Sequence, residues 1–492
     1  MVKDLIFKKP EEEGLNSKYI LKLLDYIKEN KINLHSLMIV RNGNILTEGY
    51  YKPFDENFCH RIYSSSKTFV AIAIGMLIDQ GKVKLNDKIS DYFPELITDK
   101  TDKLILDTTI EDALKMAVPM LTDTYYARNY KDWAWTFFNT LPGIKPSGTI
   151  FNYNTSGTFI LDVLVEKITG RAYLDFMRPL FDKLGISNNI KCVKSPDGYS
   201  WGGSGVICTM RDFAKFGEFI LNKGLVNGEQ LVSKDFMEKA TTSQISNLVE
   251  NSFSPIKNSG YGYQIWITPE GYCLRGMGCE TVFCFPKKNF MFVCMGDTQA
   301  DFEISAVLLY EKVKELLYDN LDKEIFSNDD SFSTLQNELK ILKVNSSFGE
   351  KYSSYMQNIN NVKYTLNKND MGWKFFKFNF EKDKGVLTYE NKRGVKSIKF
   401  GLNEIVQGNF PENHYYDMQV DVPAGRQFNC YSFASWLEEK KIIVCNYIID
   451  NSFGNCFMTF SFKDDRVALY FTKNAEFFMD DYLGYAYGEK DN

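Results

Sequence analysis

Ser64, Ser65, Ser66 and Lys67 stand just ahead of an uninterrupted apolar run from Phe69 to Ile78. A helix built from such a run has no polar face, so it must be enclosed on every side. The chain therefore has to wrap a multilayered core around this one segment. Serine is a preferred residue at a helix start. A spacing of three places Ser64 and Lys67 on one face, within side-chain reach. The unpaired N–H groups at a helix N-terminus favour developing negative charge there, and an adjacent amine can take the proton that makes a hydroxyl nucleophilic. The ordinary reading is a capping serine beside a solvated lysine. The pattern is not selective by itself, since Ser254 and Lys257 repeat the spacing among loop-forming residues.

The chain has 492 residues, 44% apolar and 25% charged, which is the composition of a globular protein with room for two or three domains. A formal net charge of −5 gives no electrostatic reason to expect nucleic acid or an anionic membrane as partner. The opening residues, Met1 to Pro10, lack the apolar stretch of a signal peptide, so the chain as written carries a cytoplasmic expectation. Ten cysteines without a Cys-x-x-Cys pair read as reduced core residues. Three histidines, His35, His60 and His414, argue against a zinc site or a Ser-His-Asp triad, and no metal or cofactor is expected. His60, four residues before Ser64, is a conceivable base but reads better as a strand-end or loop residue.

Along the chain, 34–40 and 45–50 flank Asn42-Gly43, a hairpin turn signal. A helix is expected over 17–29, from apolar residues at Ile20, Leu23, Leu24 and Ile27. Further helices are expected near 110–117, 156–168, 172–184 and 210–222, strands near 262–267, 272–275, 281–285 and 290–295, and a closing helix over 302–317. Strands at both ends of this region with helices between imply an α+β domain, an antiparallel sheet flanked by helices, over 1–318. The polar, acid-rich stretch 319–344 reads as a linker. Beyond it, short alternating or aromatic runs near 373–380, 386–389, 395–400, 417–422, 429–436, 441–449, 456–462 and 466–471 imply an all-β barrel or sandwich over 345–492.

Three further clusters fall in order after Ser64: Phe151 and Tyr153 ahead of an apolar helix; Trp201, Gly202 and Gly203 leading to Arg211, Asp212 and Gly217; and Arg275 to Glu280 entering a strand. With these in place, and with His35, Ser36 and Arg41 in the first hairpin, residues 12–318 resemble the class C β-lactamase and penicillin-binding-protein-related serine hydrolases, a broad family of esterases, peptidases and amidases. The 345–492 segment resembles the lipocalin-like barrels carried by some relatives.

The resemblance implies an acyl-accepting nucleophile at Ser64, a base or proton shuttle at Lys67 and a proton-exchanging tyrosine at Tyr153. A tyrosine hydroxyl serves that role only beside a cation that favours its ionised form. It also implies an oxyanion hole from the backbone N–H groups of Ser64 and Glu280, worth roughly 3 kcal/mol per donor. Two departures stand out. The Tyr-x-Asn triplet of relatives is here Tyr153, Asn154 and Thr155, and the Lys-Thr-Gly or His-x-Gly triplet is Met277, Gly278 and Cys279. Met277 supplies neither a cation nor a donor, which weakens recognition of a substrate carboxylate. Cys279 reads as a small hydrophobe; a redox-sensitive gate there would require surroundings that favour the thiolate.

The leading expectation is a serine hydrolase acting on a small-molecule ester, amide or D-residue peptide, without cofactor, nucleic acid or membrane partner, and able to oligomerise through its C-terminal domain. A β-lactamase or D,D-carboxypeptidase is the alternative within the same chemistry. A degenerate, non-catalytic binding protein is the alternative of another class.

Overall fold

The structure is a computed structural model that describes residues 5–125, 131–248, 254–298, 302–324, 330–412, 428–448, 454–474 and 480–491. It divides into two compact units, Met1–Lys343 and Val344–Asn492.

In the first unit a seven-stranded sheet runs in the order Ile6–Phe7, Asn44–Tyr50, Leu34–Arg41, Phe290–Gly296, Thr281–Phe285, Gly271–Arg275, Trp266–Thr268. Only the first pairing is parallel. The hairpin turn is where Asn42-Gly43 was expected, and both residues take the positive φ (51° and 73°) that such turns require. All eight residues of Leu34–Arg41 are buried, as are all seven of Phe290–Gly296. These two strands from opposite ends of the unit are sheet neighbours, registered from Phe290–Arg41 to Gly296–Leu34.

The apolar run forms the helix Ser66–Asp79, enclosed over nearly its whole length, and packs against the helix Thr155–Thr169. Phe69 stacks on Phe216 of the helix Met210–Leu221 at 3.6 Å, and that helix lies on the central strands of the sheet. The helix Ser17–Glu29 has the expected limits, capped by the Asn16 side chain. The segment expected as one helix over 172–184 is two, Tyr173–Phe176 and Arg178–Leu184, with Pro179 in the first turn of the second. Residues 262–265 precede their strand in irregular form: Gln264 has φ of +57° and its amide donates to the carbonyls of Ala113 and Leu114. Within 319–344, the helix Ser331–Ile341 buries Leu335, and Asp322 accepts from both Arg41 Nη atoms at 2.7 and 2.8 Å.

The second unit is a barrel. Ten strands form one sheet, and nine of them close a ring where Gly394–Leu402 meets Phe428–Glu438 through the parallel pairs Gly401–Phe433 and Leu402–Ala434. Alternating burial along Phe375–Glu381 and Lys384–Asn391 fills the interior with large side chains such as Phe376, Phe378 and Tyr389. Trp373 stacks on Tyr389 at 3.9 Å. Three strands, Lys363–Leu366, Val406–Phe410 and Gly484–Lys490, were not foreseen. The run at 417–422 and His414 lie outside the described residues. No described helix is long and apolar enough to cross a membrane.

Candidate active site

Ser64 lies in a single 3-10 turn, Tyr63–Ser65, that leads directly into the helix Ser66–Asp79. It is partly exposed, whereas Ser65, Ser66 and Lys67 are buried. No capping bond runs from this serine to the helix: the residue at the N-cap is Ser65, and its hydroxyl donates instead to the Glu280 carbonyl at 2.7 Å. Tyr63 holds φ of +44°, a left-handed conformation that is costly for an aromatic residue. The buried Arg61 guanidinium lies over the Tyr63 ring at 4.4 Å and the Trp201 ring at 4.7 Å. Its Nε and Nη2 donate to Ser204 O and Oγ, each at 2.7 Å.

Lys67 Nζ is 3.1 Å from Ser64 Oγ and donates to the Gly203 carbonyl at 2.6 Å. Only 1% of this lysine is exposed, so its bonds are to protein groups rather than to bulk water. Lys67 Nζ also lies over the Tyr153 ring, 4.9 Å from its centroid. Tyr153 in turn stacks on Trp266 at 5.4 Å, beside Tyr261 and Phe151. The residues Ser64, Lys67 and Tyr153, separated by up to 89 positions, thus share one locus.

Asn154 does not face this locus. Its side chain caps the helix Thr155–Thr169 by accepting from Gly157 N and donates to the Thr122 carbonyl. Thr155 is the first helical residue, and its methyl closes against Gly203, where an added Cβ would come within 2.4 Å of Thr155 Cγ2. Asp123 lies beside it and accepts from Ser156 N at 2.9 Å. Burial pushes the Asp123 carboxyl up, opposed by the Ser156 amide, the Lys67 charge and Thr155.

The triplet Met277, Gly278 and Cys279 forms the tight link between two strands, closed by Gly276 N donating to Glu280 O at 2.8 Å. Met277 is partly exposed. Cys279 is fully buried with φ of +75°, the backbone geometry that a glycine adopts without strain. Cys294 Sγ approaches the Cys279 carbonyl at 3.1 Å, and a hydrogen bond from the Cys294 thiol lowers the Cys279 thiol below its ordinary range. The Glu280 side chain turns inward. It accepts from Gly278 N at 2.9 Å, and burial drives its carboxyl well above the usual range.

Behind the Ser64 turn lies a buried histidine pair. His60 Nδ1 is 2.7 Å from the Arg61 carbonyl, and His60 Nε2 is 3.0 Å from His35 Nδ1. A carbonyl only accepts, so His60 carries its proton on Nδ1 and takes a bond from His35 at Nε2. Burial lowers both imidazoles, His60 to about 4. His60 begins a two-residue strand paired with Cys208, a structural position and not a base beside Ser64. Among the described residues, no cluster of three or more His, Cys, Asp or Glu could hold a metal ion.

Sequence reasoning did not single out the Gly203 carbonyl, Asp123, Trp266 or the histidine pair. The adjacent Gly202 and Gly203 read only as a glycine-rich turn, and nothing in the sequence says that a lysine 136 residues away approaches it.

A family model described as Beta-lactamase matches residues 25–320. The chain belongs to the Beta-lactamase family. The 6-aminohexanoate-dimer hydrolase of Paenarthrobacter ureafaciens is 28% identical over 251 residues, which is 47% of this chain and 64% of that enzyme. The present chain thus spans slightly less than two thirds of that relative's length. In fold, the chain resembles a Bacteroides dorei protein provisionally described as a β-lactamase (TM-score 0.52, 15% identity, 61% of this chain and 99% of that one). It likewise resembles a penicillin-binding-protein homologue from Caulobacter crescentus (TM-score 0.50, 12% identity, 61% and 97%). At these identities the two structures speak to fold alone.

Proposed function

We propose that this Beta-lactamase family member is a serine hydrolase that forms and then hydrolyses an acyl-enzyme on Ser64, acting on a small ester or amide, including peptides with a D-residue. The observation that carries this reading is the 3.1 Å approach of Lys67 Nζ to a partly exposed Ser64 Oγ. In its neutral form the Lys67 amine takes the hydroxyl proton as Oγ bonds to the substrate carbonyl carbon. Negative charge on the carbonyl oxygen is met by the backbone N–H groups of Ser64 and Glu280. Collapse breaks the bond to the leaving alcohol or amine, which collects the proton from Lys67, directly or relayed by Tyr153. Water then adds to the ester carbonyl and gives up a proton, and Ser64 Oγ leaves with one.

The similarity to a named hydrolase of a dimeric substrate supports hydrolysis as the reaction type. Met277, in the position where relatives present a cation, supports substrates whose recognition does not depend on a carboxylate. Thr155, Gly278 and Cys279 would line the approach. For the barrel unit we propose a role in oligomerisation.

The test is intact-protein mass spectrometry after a fluorophosphonate probe. A single adduct on the wild-type protein that is absent from Ser64→Ala is the expected result. No adduct on either protein, with no ester turnover by either, would overturn the reading in favour of a non-catalytic binding protein.

A further inference from the structure

The turn that supplies Lys67 with its carbonyl partner is itself gripped from behind by two acids on the helix Thr155–Thr169. Glu166 Oε1 accepts from Ser200 N at 3.1 Å and from Ser200 Oγ at 2.6 Å. One helical turn earlier, Asp162 Oδ2 accepts from Gly202 N at 2.9 Å. Asp162 is fully buried, and its second oxygen, Oδ1, has no hydrogen-bond partner. The contact leaves no slack. A Cβ placed on Gly202 would lie 2.8 Å from Asp162 Oδ2 and 2.5 Å from Val70 of the Ser66–Asp79 helix, and one on Gly203 would meet Thr155.

A buried carboxyl is a costly way to satisfy one amide N–H. Helix packing alone would be served by an apolar residue at position 162. What the carboxyl adds is a fixed location for the Gly202 amide, and hence for the carbonyl of the next residue, 2.6 Å from Lys67 Nζ. We infer that Asp162 is a positioning residue, which by holding Gly202 sets the Gly203 carbonyl on the Lys67 amine and so aims that amine at Ser64. The catalytic part of this inference rests on the acyl-enzyme reading above; the geometric part does not.

Asp162 faces Glu166, Tyr173 and Cys192. Burial, with the nearby Glu166 charge, drives its carboxyl well above the ordinary range. Asparagine keeps an acceptor oxygen of the same reach without charge, whereas leucine keeps the volume and loses the acceptor.

Asp162→Asn and Asp162→Leu are compared with wild type for the rate constant and half-saturation of Ser64 labelling by the fluorophosphonate. Their crystal structures supply the Lys67 Nζ to Gly203 O distance. The expected result is labelling within about threefold of wild type for Asp162→Asn. For Asp162→Leu, maximal labelling falls at least tenfold at unchanged half-saturation, and the Lys67 to Gly203 distance opens beyond hydrogen-bond range. Should Asp162→Leu not fold, Asp162→Ala carries the same expectation. The inference is overturned if the variants lacking the acceptor keep the Lys67 to Gly203 bond, or if Asp162→Asn is as impaired as Asp162→Leu. A wild-type protein that does not label at all sinks the acyl-enzyme reading, and the variant structures still decide whether Asp162 holds the turn.

Discussion

Ser65 and Glu280 lie 215 residues apart, and a single bond joins them: the buried Ser65 hydroxyl donates to the Glu280 carbonyl at 2.7 Å. The turn bearing Ser64 and the residue expected to complete the oxyanion hole are thereby tied, one residue from Ser64 and at Glu280 itself. Both halves of that hole need a fixed separation, because its donors act only at hydrogen-bond distance from the developing charge. Ser65→Ala removes the tie while leaving Gly276 N on the same carbonyl. A loss of about 1 kcal/mol in unfolding free energy is expected, the usual worth of one buried hydrogen bond. In turnover, kcat falls while KM is nearly unchanged. Denaturant unfolding and steady-state kinetics on an ester substrate check the two arms.

Lys67→Met retains most of the apolar stem and removes the amine. Labelling of Ser64 by a fluorophosphonate is expected to slow by about 10²- to 10⁴-fold, the range of a lost general base. Thermal unfolding should show that the protein still folds. A variant that labels at the wild-type rate would assign the base to another group.

Gly203→Ala brings a methyl to 2.4 Å from Thr155 Cγ2. The turn ahead of the strand Val206–Cys208 has to shift, and the carbonyl shifts with it. A cost of about 1–3 kcal/mol in stability is expected for such overpacking, with a loss of activity larger than the fall in folded fraction explains. Thr155→Ser, which removes the opposing methyl, should restore part of both in the double variant.

The histidine pair predicts a pH signature of stability. His60 has a folded-state value of about 4, below the ordinary 6.5 of an unfolded chain, chiefly because burial disfavours its charged form. Between these values the unfolded state binds the extra proton, so stability is complete above pH 6.5 and is lost as pH falls towards 4. Glu280 and Asp162, whose carboxyls are raised by burial, act in the opposite sense, so the wild-type profile alone is a composite. His35 and the Glu280 carboxyl, 3.9 Å from His60 Nδ1, are the titratable neighbours that remain in a His60→Gln variant. The stability advantage of wild type over that variant should shrink by about 3 kcal/mol from pH 6.5 to 4. A pH-independent difference would mean that His60 is charged in the fold.

The elements visible in the sequence were those whose own residues dictate them. Ile20, Leu23, Leu24 and Ile27 recur at helical spacing and form the helix Ser17–Glu29. Asn42 and Gly43 supply the positive φ values of their turn. The short helix Trp133–Asn139 was missed because its aromatic residues read equally well as strand. Gln264 was expected in a strand, but its backbone is bent by tertiary bonds to Ala113 and Leu114 that no local pattern announces. At the site, Ser64, Lys67 and Tyr153 were legible as chemistry-bearing side chains in order. The Gly203 carbonyl was not, because a backbone acceptor has no residue type to reveal it. His60 was legible as a strand-end residue, but its partner His35 was not, since a buried pair needs the fold to bring it together.

The barrel's strand number has a consequence of parity. Around a ring in which each strand runs opposite to the last, an even number returns to its starting sense, whereas an odd number arrives reversed. With nine strands in the ring, one junction is obliged to join neighbours running the same way, and it is the one between Gly394–Leu402 and Phe428–Glu438. That seam holds two residue pairs, against eight between Lys441–Ile448 and Gly454–Lys463. The rest of the Phe428–Glu438 edge would offer bare amides and carbonyls to any passing strand. The tenth strand, Val406–Phe410, occupies it, running antiparallel from Val406–Ser432 to Phe410–Phe428. The supernumerary strand is thus the patch that an odd ring requires.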